Sequence, residues 1–70
     1  MDRLKTWRVR RPLTQQELGL KSGVSPATIS AIEEGVHLPR ISTIRKLAKA
    51  LGAEPTEVEE FTNAVKALGG

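Results

Sequence analysis

The chain has 70 residues, a net charge of +3, one histidine, one tryptophan, one phenylalanine, and neither cysteine nor tyrosine. That length makes one domain, residues 1–70, with an aliphatic core of Leu, Ile, Val and Ala, near the small end of what folds without staples. Without cysteine there is no disulfide or thiolate metal site, one histidine is too few for a histidine-built zinc site, and no apolar run approaches the roughly 20 residues of a membrane span or forms a signal peptide. No metal or cofactor is expected, and the expected location is cytoplasmic.

Five helices and no strand are expected, an all-α fold. The first covers Asp2 to Arg10, with Leu4 and Trp7 facing inward, and Pro12 stops it. The second covers Gln15 to Ser22, with Leu18 buried. Its start, Thr14-Gln15-Gln16-Glu17, is a capping box: the threonine hydroxyl accepts from the N–H three residues on, and the glutamate reaches back. It ends at Ser22-Gly23, where glycine can take the left-handed conformation and turn the chain sharply.

The third helix covers Pro26 to Glu34, and Gly35 ends it. Ser25 is its N-cap, Pro26 occupies the first position, where a missing N–H costs nothing, and Ile29 and Ile32 share the inward face. Two helices this short, closed by a glycine turn of about three or four residues, have the geometry of a helix-turn-helix. A loop from Val36 to Arg40 leads to the fourth helix, Ile41 to Leu51, with Ile44, Leu47, Ala48 and Leu51 on one stripe and Gly52 as its cap. The fifth opens at Pro55-Thr56 with a second capping box, Thr56-Glu57-Val58-Glu59, and runs to Leu68. Its apolar residues Val58, Phe61, Val65 and Leu68 form a heptad-like seam. Only the Gly69-Gly70 end is expected to be disordered.

Charge is unevenly distributed: +4 over residues 1–11, −2 over 12–35, +4 over 36–52 and −3 over 53–70. Two basic segments flank the helix-turn-helix and the tail is acidic, so a polyanion would suit the first three segments and avoid the last.

Leu4 with Arg8, Leu13-Thr14-Gln15-Gln16-Glu17-Leu18, Gly23-Val24-Ser25, Thr28-Ile29-Ser30, Ile32-Glu33 with Gly35, Pro39, and Leu47-Ala48 followed by Ala50-Leu51-Gly52 form an ordered set. At this spacing, over about residues 3–61, they resemble the lambda-repressor/Cro-like (XRE-type) helix-turn-helix family, a five-helix DNA-binding domain. Residues 62–68 then extend the fifth helix beyond the family pattern.

The resemblance implies that the third helix is the recognition helix, lying in the major groove, while the second crosses the backbone above it. It gives Gln15 the part of a phosphate clamp at a helix N-terminus, with Gln16 beside it. Ser25, Pro26, Ala27, Thr28 and Ala31 would face the groove, with Ser30 a further hydroxyl. Arg40, after Pro39, matches a basic loop position near phosphates or the minor groove. Arg8 and Glu33 match a buried ion pair joining the first and third helices, a structural element and not a DNA contact. Of Arg45, Lys46 and Lys49, which mainly solvate the fourth helix, Arg45 is the best phosphate candidate.

The chain also departs from the family. Where glutamine or asparagine often reads adenine, Pro26, Ala27 and Ala31 offer no bidentate amide, so readout falls to hydroxyls, thymine methyl contacts and DNA shape. Glu34 would set a carboxylate near phosphate. Pro12 replaces a frequent glycine, and Gly19 replaces a usual alanine at a cost of roughly 1 kcal/mol of helix stability, unless another backbone approaches closely there. His37 reads as an exposed loop residue and Trp7 as a core anchor.

The expected function is a sequence-specific DNA-binding transcriptional regulator, of the repressor kind, acting as a homodimer on a pseudo-palindromic operator in double-stranded DNA. Val65 and Leu68 are the dimer-contact candidates, and no small-molecule effector domain is expected. The alternative is a protein-interaction module of the same fold, as in antitoxins and coactivator-like proteins, which the small apolar groove face and acidic fifth helix would suit. An enzyme is not expected, since no catalytic set can be assembled.

Overall fold

The computed structural model describes residues 1–68. Gly69-Gly70, expected to be disordered, lie outside the described residues. Among the described residues five α-helices form: α1 Leu4–Arg10, α2 Gln15–Ser22, α3 Pro26–Glu33, α4 Ile41–Leu51 and α5 Glu59–Ala67, with a 3₁₀ turn over Pro55–Glu57 before the last.

Each helix sends a few aliphatic side chains into one core. Leu4 comes from α1, Leu18 from α2, Ile29 and Ile32 from α3, Ile44, Leu47 and Leu51 from α4, and Phe61 from α5, each 3% exposed or less. Trp7 and Leu13 pack against this core from its edge. Trp7 is only half-buried, and its Nε1–H donates to the Glu57 carbonyl at 3.1 Å, the polar partner a partly buried indole needs.

The turn between α2 and α3 follows from local chemistry. Thr14 Oγ1 accepts from the Glu17 N–H at 3.1 Å, while Glu17 Oε1 accepts from the Thr14 N–H at 2.9 Å, so both halves of the first capping box form. These hydrogen bonds hold the Glu17 carboxyl below its ordinary range, the Thr14 backbone bond contributing most. Gly23 closes α2 at φ 77°, ψ 16°, its N–H donating to the Gly19 carbonyl at 2.8 Å. Ser25 Oγ then caps α3, accepting the Thr28 N–H at 3.2 Å.

Gly19 is buried inside α2 because another backbone does pass close by. A Cβ there would stand 2.8 Å from the Val24 carbonyl oxygen and 3.2 Å from two ring carbons of Pro26. The missing side chain is what lets α3 start against α2.

Helix boundaries at both ends differ from the sequence expectation, for one shared reason. The first helix starts at Leu4 and not Asp2, because Arg3 is extended and Asp2 runs alongside Val58 as an isolated parallel bridge. The Asp2 carbonyl accepts the Glu59 N–H at 2.9 Å. Val58 is itself extended (φ −112°, ψ 122°) and fully buried, so the chain between the 3₁₀ turn and α5 cannot stay helical. The expected Thr56–Glu59 capping box is absent; the Glu54 N–H donates instead to Glu57 Oε1 at 2.9 Å. At the far ends, Glu34 caps α3 and Leu68 caps α5, one residue short of each expected terminus. Glu60 of α5 accepts the Leu4 N–H at 2.7 Å, a carboxylate at the positive end of α1.

Candidate nucleic-acid interface

One guanidinium sets how α3 is presented. Arg8 Nε meets Glu33 Oε2 at 2.7 Å and Nη2 meets Oε1 at 3.1 Å, a bidentate pair with side chains 11% and 5% exposed. Arg8 Nη1 also donates to the Leu13 carbonyl at 2.8 Å, and Gln15 Nε2 donates to Glu33 Oε1 at 3.2 Å. α1, the turn after it, the start of α2 and the end of α3 are thereby joined through one guanidinium–carboxylate pair. The Glu33 hydrogen bond raises the already high pKa of Arg8 against the opposing effect of burial.

With that clamp closed, α3 leaves one face open. Pro26, Ala27 and Thr28 are exposed, as are Ser25 before them and Gln16 on α2; Ser30 and Ala31 are half-buried. Ser25 Oγ and Thr28 Oγ1 lie 2.9 Å apart, so each hydroxyl already has the other as partner. Gln15 is turned inward, its amide engaged by the Glu33 carboxylate.

Arg40 is exposed at the entry to α4, and a shallow cavity lined by Thr28, Ile32, His37, Pro39, Arg40 and Thr43 separates it from α3. Arg40 and Thr28 therefore bound one concave surface. Sequence reading passed over Thr43, and its signal was available: it stands three residues after Arg40, one turn into α4. Buried Pro39 fixes the approach of that loop. Arg45 does not line this cavity. It shares an exposed stripe of α4 with Ser42, Lys46 and Lys49, and the two lysines border a second depression with Lys21 and Ser22.

The N-terminal basic segment is mostly engaged within the molecule. Arg3 Nε lies 3.3 Å from Glu59 Oε2, Arg10 Nη1 lies 2.7 Å from Asp2 Oδ2, and Arg11 Nε donates to the Leu51 carbonyl at 2.9 Å. Arg10 and Arg11 also stand 6.0 and 5.5 Å from the Trp7 ring centroid, on the cation–π scale. These pairings engage the arginines within the molecule, and the side chains of Arg3 and Arg10 remain 67% and 56% exposed. Arg3 meets the acidic tail, while Arg8 and Arg11 hold α3 and the C-terminus of α4. The second basic segment, from Arg40 to Lys49, keeps its side chains exposed.

Among the described residues, no helix is long and apolar enough to cross a membrane, and no group of three or more His, Cys, Asp or Glu could hold a metal ion. On α5, Val65 and Leu68 are 41% and 59% exposed, beyond the part of the helix that Phe61 and Ala64 bury.

A family model described as helix-turn-helix matches residues 4–58. The chain is 39% identical over 57 residues to an HTH-type transcriptional regulator of Methanocaldococcus jannaschii, covering 81% of this chain and 86% of that protein. It is 47% identical over 51 residues to the HTH-type transcriptional repressor RghR of Bacillus subtilis, covering 71% of this chain and 38% of RghR. It is also 36% identical over 57 residues to the cryptic phage CTXphi transcriptional repressor RstR of Vibrio cholerae, covering 81% of this chain and 51% of RstR. The chain thus spans nearly all of the first relative and no more than about half of the other two. No solved structure gives a significant match.

Proposed function

The chain belongs to the helix-turn-helix family, of the lambda-repressor/Cro-like (XRE) type, and from that premise we propose that it is a DNA-binding transcriptional regulator that represses as a homodimer on a pseudo-palindromic operator. In this reading α3 enters the major groove and Ser25, Pro26, Ala27, Thr28 and Ala31 face base edges. Gln15, Gln16 and Arg40 contact phosphates, and Val65 and Leu68 join two copies about a two-fold axis. Two recognition helices so related would enter successive grooves about 34 Å apart. The work is that of a binding domain and not of an enzyme, carried out in the cytoplasm.

One observation carries the reading: α3 is clamped by Arg8–Glu33 yet open to solvent along Pro26, Ala27 and Thr28, with Arg40, which has no ion pair among the described residues, across a shallow cavity from Thr28. A buried, satisfied ion pair supplies the rigidity and an exposed cation supplies attraction to phosphate, which is the division of labour that groove recognition requires.

A protein-interaction module is the second reading, and exposed Leu20 favours it. That side chain is 88% exposed and borders an open apolar cleft with Gly19, Gly23, Val24 and Pro26. The readings part in an NMR titration of labelled protein with a mixed short-duplex pool at low and high salt. Shifts centred on Gln15, Ser25 to Ala31 and Arg40 that weaken with salt support the regulator. Silence there with the fold intact removes it.

A further inference from the structure

The open face of α3 carries almost no means of reading hydrogen bonds. Pro26, Ala27 and Ala31 end in carbon, and Thr28 is the one residue among these four with a polar group. Its Oγ1 lies 2.9 Å from Ser25 Oγ, which also accepts the Thr28 N–H at 3.2 Å. The two hydroxyls and one N–H satisfy one another and leave a single hydroxyl proton to offer outward. At the start of α2, Gln15 is held by Glu33, and exposed Gln16 borders the cleft beside Ser25 and Pro26, off the face of α3 itself. With Oγ1 engaged at the cap, the free branch of exposed Thr28 is its methyl group.

In the major groove each base pair shows a distinct pattern of donors and acceptors, but only thymine shows a methyl group. A face made of a proline ring, two alanine methyls and one threonine methyl is matched chiefly to that feature, with one outward hydroxyl proton as its single polar group. Resting on the reading that α3 enters the major groove, we infer that Pro26, Ala27, Thr28 and Ala31 determine specificity by packing on thymine C5-methyl groups, so that the operator half-site is selected for thymine at the contacted positions. Phosphate contacts set register, and apolar contact sets sequence.

The test starts with selection of a binding site from a random-centre duplex pool. Binding to the selected duplex is then measured at fixed salt with each thymine replaced in turn by deoxyuridine, which removes only the C5-methyl. Each contacted thymine should lose about fourfold in affinity, the equivalent of about 0.8 kcal/mol for one methyl-sized group. Thr28→Ser keeps the hydroxyl cap and removes the methyl, so at one thymine per half-site it should no longer distinguish thymine from uracil. Circular dichroism checks that this variant is folded, and Ala31→Gly supplies an independent second deletion. A selected duplex that binds equally well with uracil at every position overturns the methyl reading and leaves the DNA-binding reading standing. A pool from which no salt-sensitive binder emerges overturns both.

Discussion

Arg8 and Glu33, 25 residues apart, meet through two hydrogen bonds of 2.7 and 3.1 Å, and Gln15 adds a third to the same carboxylate at 3.2 Å. Both charged side chains are almost fully removed from water. Removing one partner strands the other, so Arg8→Met should cost about 3 kcal/mol in urea unfolding monitored by circular dichroism. The double variant Arg8→Met, Glu33→Leu should recover a substantial part of that loss. Equal stability of the double and single variants would show that the stranded carboxylate is not what costs.

Gly19→Ala opposes two effects. Alanine gains roughly 1 kcal/mol of helix propensity, but its Cβ would sit 2.8 Å from the Val24 carbonyl, a backbone atom with no rotamer to change. Overpacking of this kind costs about 1–3 kcal/mol, so the net change should be a loss of about 1 kcal/mol, read from the unfolding midpoint. Adding Pro26→Ala relieves the 3.2 Å contacts to the ring and should restore only part of it, since the carbonyl remains.

Arg40→Glu should leave the unfolding midpoint within about 0.5 kcal/mol, because the side chain is exposed and makes no ion pair among the described residues. Duplex affinity should fall at least about tenfold, and the slope of log K against log salt should flatten by about one per protomer. Arg10→Glu is the matched control. Its charge faces Asp2 across 2.7 Å, so reversal should disturb that surface pair while sparing the salt slope.

Val65→Asp with Leu68→Asp should convert a concentration-dependent dimer to monomer in sedimentation equilibrium without unfolding it, since both residues are exposed in the monomer. A wild-type chain that stays monomeric across the concentration series would remove the proposed dimer contact.

The first capping box should be sensitive to acid. Hydrogen bonding to Thr14 lowers the folded-state pKa of Glu17, so the contribution is present above the ordinary glutamate range, about 4.3, and is lost as pH falls through the lower folded value. The stability difference between wild type and Glu17→Gln should therefore be clear at pH 7 and shrink towards zero on acidification.

Sequence by itself determined the middle of the molecule. The extents of α2 and α4 and the turn at Gly23 follow from signals a few residues apart: the Thr14–Glu17 box, Ser25 before Pro26, glycines at Gly23 and Gly52, and the stripe Ile44, Leu47, Leu51. Each is a contest between a backbone group and a side chain within one or two turns, and such contests are settled locally.

Tertiary structure decided the ends, the charges and the spare hydroxyls. Asp2 left its helix to pair with Val58, and the start of α5 was postponed because a buried valine needed an extended backbone. The N-terminal arginines appear in sequence as a cationic block, but packing set Arg3 against Glu59 and Arg11 against the Leu51 carbonyl. Whether Gly19 is a weakness or a necessity was equally invisible, because the carbonyl that fills its space belongs to the chain returning after the turn. A local pattern names what each residue can do. Which of those options is taken depends on partners brought within about 3 Å by the closing of the core, and that proximity has no signature in residue order.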